Sequence, residues 1–181
     1  MIASRQDLIK GLTSYQTQFN EEKAFCPQFL ALLQQEGCYQ RNHLPGHLTG
    51  SAFIIDKSRH YTLLTHHAKL NKWLQPGGHA DGDENIAGVA LREAREETGV
   101  TNFVFLQENI FDIDIHLIPA RKDFPEHFHY DIRFLLEASR DERLVITEES
   151  HDLDWIELHK VGSLVSHSPA MMRLVEKVRL L

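Results

Sequence analysis

Near the start of the chain the apolar residues Leu8, Leu12, Tyr15 and Phe19 fall at i, i+4, i+7 and i+11, one face of a helix within Ile2 to Phe19. A second helical pattern runs from about Asn20 to Glu36, with Phe25, Phe29 and Leu32 or Leu33 inward. Gly37 is placed to stop it in the left-handed conformation, and Pro27 to bend or restart it. Past "RNHLPGH" the period changes to two: "LTGSAFIID" and "HYTLLTHH" flank the polar turn "KSR" and predict a hairpin. "WLQPGG" then halts regular structure. Asn85 is positioned to cap a helix from Ile86 to about Thr98, closed by Gly99. Three further strands are predicted at "FVFLQ", "FDIDIHLI" and "FHYDIRFLLEA", and a shorter one at "LDWIEL". Ser168 and Pro169 form a cap and first-turn pair for a last helix with Leu174, Val175, Val178 and Leu181 on one side. Strands with helices between and around them predict an α/β sandwich.

Composition narrows the function classes. With 181 residues, 42% hydrophobic and 25% charged, the chain can build one substantial core, and one domain is expected. A net charge of −7 argues against a nucleic-acid polymer as partner, because such polymers are gripped by surplus Lys and Arg. A small anion could still be held through a metal ion. "MIASRQDLIKG" lacks the basic and apolar regions of a secretory signal, and no apolar run reaches membrane-spanning length, so a cytoplasmic protein without a membrane partner is expected. Cys26 and Cys38 form no metal-binding or disulfide pattern and read as reduced thiols.

The helix from Ile86 carries the main anomaly. Ala87, Ala90, Leu91 and Ala94 make a stripe that can lie close against a sheet, while Glu93 stands i+3 from Glu96 and i+4 from Glu97. Each such like-charge pair costs roughly 0.2–0.5 kcal/mol, and the helix C-terminus repels the last two further. Two accounts remain open. Arg92 and Arg95 could compensate on a solvated face, or a divalent cation could sit among the carboxylates, since hard ions such as Mg²⁺ and Mn²⁺ take carboxylate oxygens.

The surrounding residues bear on that choice. Gly78, Glu84, Arg92, Glu93, Glu96, Glu97 and Gly99, followed by Val100, keep the spacing of the Nudix box, seven identities within the 23 residues 78–100. The chain thus resembles the Nudix hydrolase superfamily; Ala94 is smaller than the aliphatic residue the family prefers. "WLQPGGHADGDE" looks like the family's lead-in to the catalytic loop, and "LDWIEL" like its late strand. The resemblance implies a Nudix-type α/β/α sandwich with a mixed β-sheet over residues 44–181; no general family motif covers the N-terminal helices, and residues 1–43 read as a helical extension of the same domain, a dimerisation element or a lid. It implies metal-dependent hydrolysis of a phosphoanhydride bond in a nucleoside diphosphate linked to another group, a small-molecule substrate. Glu93, Glu96, Glu97 and a carbonyl at Gly78 would be metal ligands, for two or more Mg²⁺ or Mn²⁺ ions. Glu84 and Arg92 look like the family's orienting ion pair. Glu149, with Glu148 as fallback, is the candidate for the extra catalytic carboxylate that family members recruit from a loop ahead of the last strand.

Two other functions fit the family's fold. A catalytically silent nucleotide sensor is one, although this box is intact. An isoprenoid-diphosphate isomerase would need an active-site cysteine, and neither cysteine lies in a strand near the box. Subgroup marks are missing: Ile115 stands where ADP-ribose-type enzymes carry Pro, and His116 and Leu117 where dinucleoside polyphosphate enzymes carry Tyr.

Twelve histidines are unusual for this length. Alternation puts Asp112, Asp114 and His116 on one face of a strand, and His127, His129, Asp131 and Arg133 on one face of the next. With His67 and His79 they predict a substrate cleft first, plain solvated faces second, and a histidine-bound Zn²⁺ or Mn²⁺ third. Lys69, Lys72 and Arg133 are candidate phosphate or sugar contacts, and Trp73 a core residue.

Overall fold

A computed structural model describes residues 2–181. Helix α1 (Arg5–Thr13) is capped by the Ser4 side chain, which accepts from the Asp7 amide, and buries Leu8 and Leu12. It stops before Tyr15, whose hydroxyl instead donates to Glu22 at 2.6 Å. Helix α2 (Asn20–Leu32) keeps Pro27 within it and buries Phe29 and Leu32, and Gly37 beyond it has φ +78°.

The predicted hairpin is β1 (Gly46–Asp56) and β2 (Tyr61–His67), antiparallel, with Ile54 opposite Leu63. Asp56 fixes its turn by accepting from the amides of His60 and Tyr61 at 3.1 and 3.0 Å. Where the sequence predicts a halt, two short strands form instead, β3 (Lys72–Leu74) against β2 and β4 (Gly77–His79) against β1. Strand pairing supplies partners to backbone groups that three-residue segments could not satisfy alone. Helix α3 (Ile86–Thr98) begins as expected, Asn85 Oδ1 accepting from the Gly88 amide at 3.0 Å, and ends at Gly99 with φ +73°.

The remaining strands are β5 (Val104–Phe105), β6 (Asp112–Ile118), β7 (His127–Ala138) and β8 (Ser150–Glu157), followed by α4 (Val161–Leu164) and α5 (Pro169–Arg179). Ser168 precedes α5 without a side-chain capping bond. The strands make one mixed sheet whose main path runs β3-β2-β1-β7-β5, with β4, β6 and β8 paired to β1, β7 and β2.

Residues group into two compact units, and β1, α3 and β7 each contribute to both. The first unit holds residues 1–51, 77–90 and 107–134. Here the helices of the N-terminal extension, α1 and α2, bury Leu8, Leu12, Phe29 and Leu32. Glu22, fully buried, accepts from the Ile113 amide of β6 at 3.2 Å, and Arg5 Nε reaches Glu84 at 3.0 Å. Gly50 of β1 lets the strand approach α3 closely, since a Cβ there would meet the Ile86 carbonyl oxygen at 2.8 Å. The second unit holds residues 52–76, 91–106 and 135–181. Its core packs Ala52, Ile54, Leu63, Ala94, Leu136 and Leu153, and Ala94 is completely covered. The small residue at that box position fills its site. Among the described residues no helix is long and apolar enough to cross a membrane.

Candidate active site

In the second unit, the last turns of α3 bring the box glutamates into one patch. Glu97 is 6% exposed, its Oε2 receiving the Thr65 hydroxyl of β2 at 3.3 Å. Arg92 donates to Glu93 at 2.7 Å and stands 4.0 Å from Glu96, which is the exposed member of the set. One guanidinium therefore serves two of the carboxylates. Burial raises the Glu93 pKa; Arg92 opposes the shift, and the charges of Glu96 and Glu149 reinforce it. Glu149 lies just ahead of β8. The Glu149 side chain is exposed, while its carbonyl accepts from the Ala68 amide at 2.8 Å.

Of the other expected residues, His67 ends β2 opposite Lys72 and Ser150, and Lys69 is exposed on the loop that follows. Trp73 is half-buried and stacks on His66 at 5.1 Å. A surface concavity lined by Arg59, Tyr61, Glu157 and Arg179 lies toward the turn end of the hairpin, and none of the expected site residues lines it.

In the first unit, Gly78 of β4 pairs with Gly50 of β1. Glu84, expected to orient with Arg92, takes a partner that sequence spacing could not reveal, Arg5 of α1. Strands β6 and β7 are antiparallel in the register Asp112 to Arg133, Asp114 to Asp131, His116 to His129 and Ile118 to His127. The expected wet face is divided. At one end, Arg133 and Asp131 are buried, where a substrate contact would need access. The guanidinium donates to Asp131 at 2.8 Å and Asp112 at 3.1 Å, and stands 3.2 Å from Asp114. Thr49 and Ser51 of β1 donate to the remaining oxygen of Asp131 at 2.9 and 2.6 Å. Burial alone would lower the Arg133 pKa, but the three aspartates more than reverse this and hold it charged. This network ties strands together; as a substrate contact the pair Asp131 and Arg133 is replaced by a structural role.

At the other end the histidines gather. His127 and His129 of β7 and His79 of β4 surround a residue the pattern did not mark, His47 of β1, with ring centroids 5.0, 4.9 and 5.2 Å from it. His116 stands 5.5 Å from His129 and is hydrogen-bonded to Asp114 at 3.1 Å. Burial lowers the pKa of His47, of His79 to about 4 and of His129 to about 2, neighbouring charges adding to the effect. The missed signal was the alternation of His47, Thr49 and Ser51: the strand is predicted from Leu48, which leaves His47 in the preceding loop, whereas β1 begins at Gly46. Thr65 was likewise missed, as a hydroxyl inside an apolar run.

On a mixed α/β fold, the R-E-A-R-E-E end of α3 gathers carboxylates that would suit hard cations. The NUDIX domain family model matches residues 46–177, and the chain belongs to the Nudix hydrolase family. It is 28% identical over 139 residues to a Lactococcus lactis protein described as a probable DHNTP pyrophosphohydrolase, covering 76% of this chain and 81% of that one. Solved structures with the same fold include a Caenorhabditis elegans Ap4A hydrolase, at 18% identity, TM-score 0.59, with 74% of this chain and 95% of that chain covered. A Clostridium perfringens NUDIX family hydrolase is similar at 23% identity and TM-score 0.57, with coverages of 74% and 97%. The family places pyrophosphate-bond hydrolysis as the general activity.

Proposed function

We propose that the chain hydrolyses a phosphoanhydride bond in a nucleotide-type small molecule, a nucleoside diphosphate joined to another group, with Mg²⁺ or Mn²⁺ required. The observation that carries this reading is the clustering at the end of α3 of buried Glu97, half-buried Glu93 and exposed Glu96, with Arg92 serving two of the three. An all-carboxylate donor set suits hard, oxygen-seeking cations. Glu93, Glu96 and Glu97 would hold two or more ions, with Glu149 as the added carboxylate. When bound there, such ions neutralise phosphate charge and make water a better nucleophile.

The chain's own residues supply the rest. Thr65 orients Glu97 from behind, and Arg92 fixes the rotamer of Glu93. Burial raises the basicity of the Glu93 carboxylate, which suits it to accept a proton from an attacking water. Glu149, exposed and unconstrained by the sheet, can follow a substrate as it enters.

The test is phosphate or pyrophosphate release from a panel with each ion, comparing wild type with Glu97→Gln. The panel should contain nucleoside triphosphates, dinucleoside polyphosphates such as Ap4A, nucleotide sugars and dihydroneopterin triphosphate, because similar proteins carry names that point to two of these. Turnover of one member that is lost in Glu97→Gln is expected. Absence of turnover on the whole panel, combined with nucleotide binding, would replace the reading with the silent sensor.

A further inference from the structure

We propose that His47, His127 and His129, apart from the glutamates of α3, form a dedicated site for one transition-metal ion of the Zn²⁺ class, through nitrogens that converge within the first unit. One nitrogen from each of the three lies within 4.8 Å of the others. With Zn–N bonds of about 2.0–2.1 Å, tetrahedral nitrogens stand roughly 3.4 Å apart, so ring pivots of about an ångström would close the set.

The arrangement around the rings is that of metal-ligating histidines. His127 Nδ1 lies 2.9 Å from the Pro125 carbonyl, and His47 Nδ1 3.3 Å from that of His43. A carbonyl can only accept, so each Nδ1 carries the proton and each Nε2 is left as a bare lone pair. The Nε2 atoms of His47 and His129 are buried without a hydrogen-bond partner, and the His47 residue is fully covered. A buried acceptor left unmade costs about 1–3 kcal/mol, and two such atoms in one cluster call for a ligand. The strands explain how they meet. Positions 127 and 129 alternate onto one face of β7, and His47 enters from the start of β1.

The chemistry of the ligand follows from the donors. Imidazole nitrogen suits Zn²⁺, Cu²⁺, Ni²⁺ or Fe²⁺ and not Mg²⁺. Three histidines leave a fourth position for an oxygen ligand.

The experiment uses the full chain, stripped with a chelator and desalted, and then titrated with Co²⁺ and Zn²⁺. To separate this site from the glutamates, the same titration is run on Glu96→Gln/Glu97→Gln. One equivalent per chain with the visible ligand-field absorption of four-coordinate cobalt, which Zn²⁺ then displaces, is expected in both, in addition to any ions that the carboxylates of wild type take up. His127→Gln and His129→Gln should each weaken binding by at least about 100-fold, more than a residue behind a ligand does. Their far-ultraviolet circular dichroism without metal reports folding. Absence of stoichiometric uptake, wild-type affinity in both histidine variants, loss of the cobalt absorption only in Glu96→Gln/Glu97→Gln, or uptake of inorganic phosphate in place of metal would each overturn the site. Because the readout is binding in a variant that lacks two of the box carboxylates, its failure is independent of whether the hydrolase reading holds.

Discussion

Replacing Arg133 by Met removes the one cation shared by three buried carboxylates. The guanidinium is 4% exposed and lies 2.8, 3.1 and 3.2 Å from Asp131, Asp112 and Asp114. Breaking a single buried pair costs about 3–5 kcal/mol, since the charge left behind cannot be rehydrated. Thr49 and Ser51 would still donate to Asp131, which limits the damage there but does nothing for Asp112 and Asp114. The expected loss is therefore about 3–5 kcal/mol, against a total stability of about 5–15 kcal/mol, or a fall in Tm of roughly 6–20 °C for a chain of this size. Urea unfolding followed by circular dichroism at pH 7 and pH 5 measures it. The sign of the pH effect is part of the reasoning. Protonation relieves uncompensated carboxylate charge in the folded variant, so the deficit relative to wild type should shrink in acid. Arg133→Lys keeps the charge without the three-way fork and should fall between the two. A loss below about 1 kcal/mol, the scale of a surface pair, or a deficit that grows at pH 5, would refute the account of this network.

Glu97→Gln should lower kcat on the order of 100-fold or more, because even residues behind a metal ligand are worth about 10–100-fold, and steady-state kinetics with Mg²⁺ and Mn²⁺ will show it. Thr65→Val should cost about 10-fold by the same comparison with little change in stability; an unchanged rate would mean the hydroxyl does not orient Glu97. Chelated, metal-free protein should lose stability as pH falls below 6.5. Burial holds the His79 pKa down to about 4 and the His129 pKa to about 2 in the folded chain, below the usual imidazole value of about 6.5. The unfolded chain then binds more protons, at about 1.4 kcal/mol per pH unit for each group, and denaturant midpoints between pH 7 and pH 5 test this. Gly99→Ala should destabilise by about 1–2 kcal/mol, because φ is +73° and a Cβ there would meet Val145 at 2.6 Å; thermal unfolding measures it.

The α3 helix was legible because its information is local: the stop at Gly99, the Asn85 cap and the i, i+3, i+4 spacing of Glu93, Glu96 and Glu97 are all set within a dozen or so residues of chain. Period-two alternation likewise marked β1, β2, β6 and β7, and put His127 and His129 on the face they occupy. Alternation says which residues share a face and nothing of what covers it. Burial of Arg133 with Asp112, Asp114 and Asp131, and the arrival of His47 beside His127, depend on strand register and on the β4, β1 and β7 partners, which are long-range choices. The same holds for Arg5 reaching Glu84 across 79 residues of chain. Sequence thus determined the chemistry on offer at each element. Only the pairing of distant strands decided which charged and imidazole groups leave water together, because desolvation depends on neighbours from every direction rather than on the chain alone.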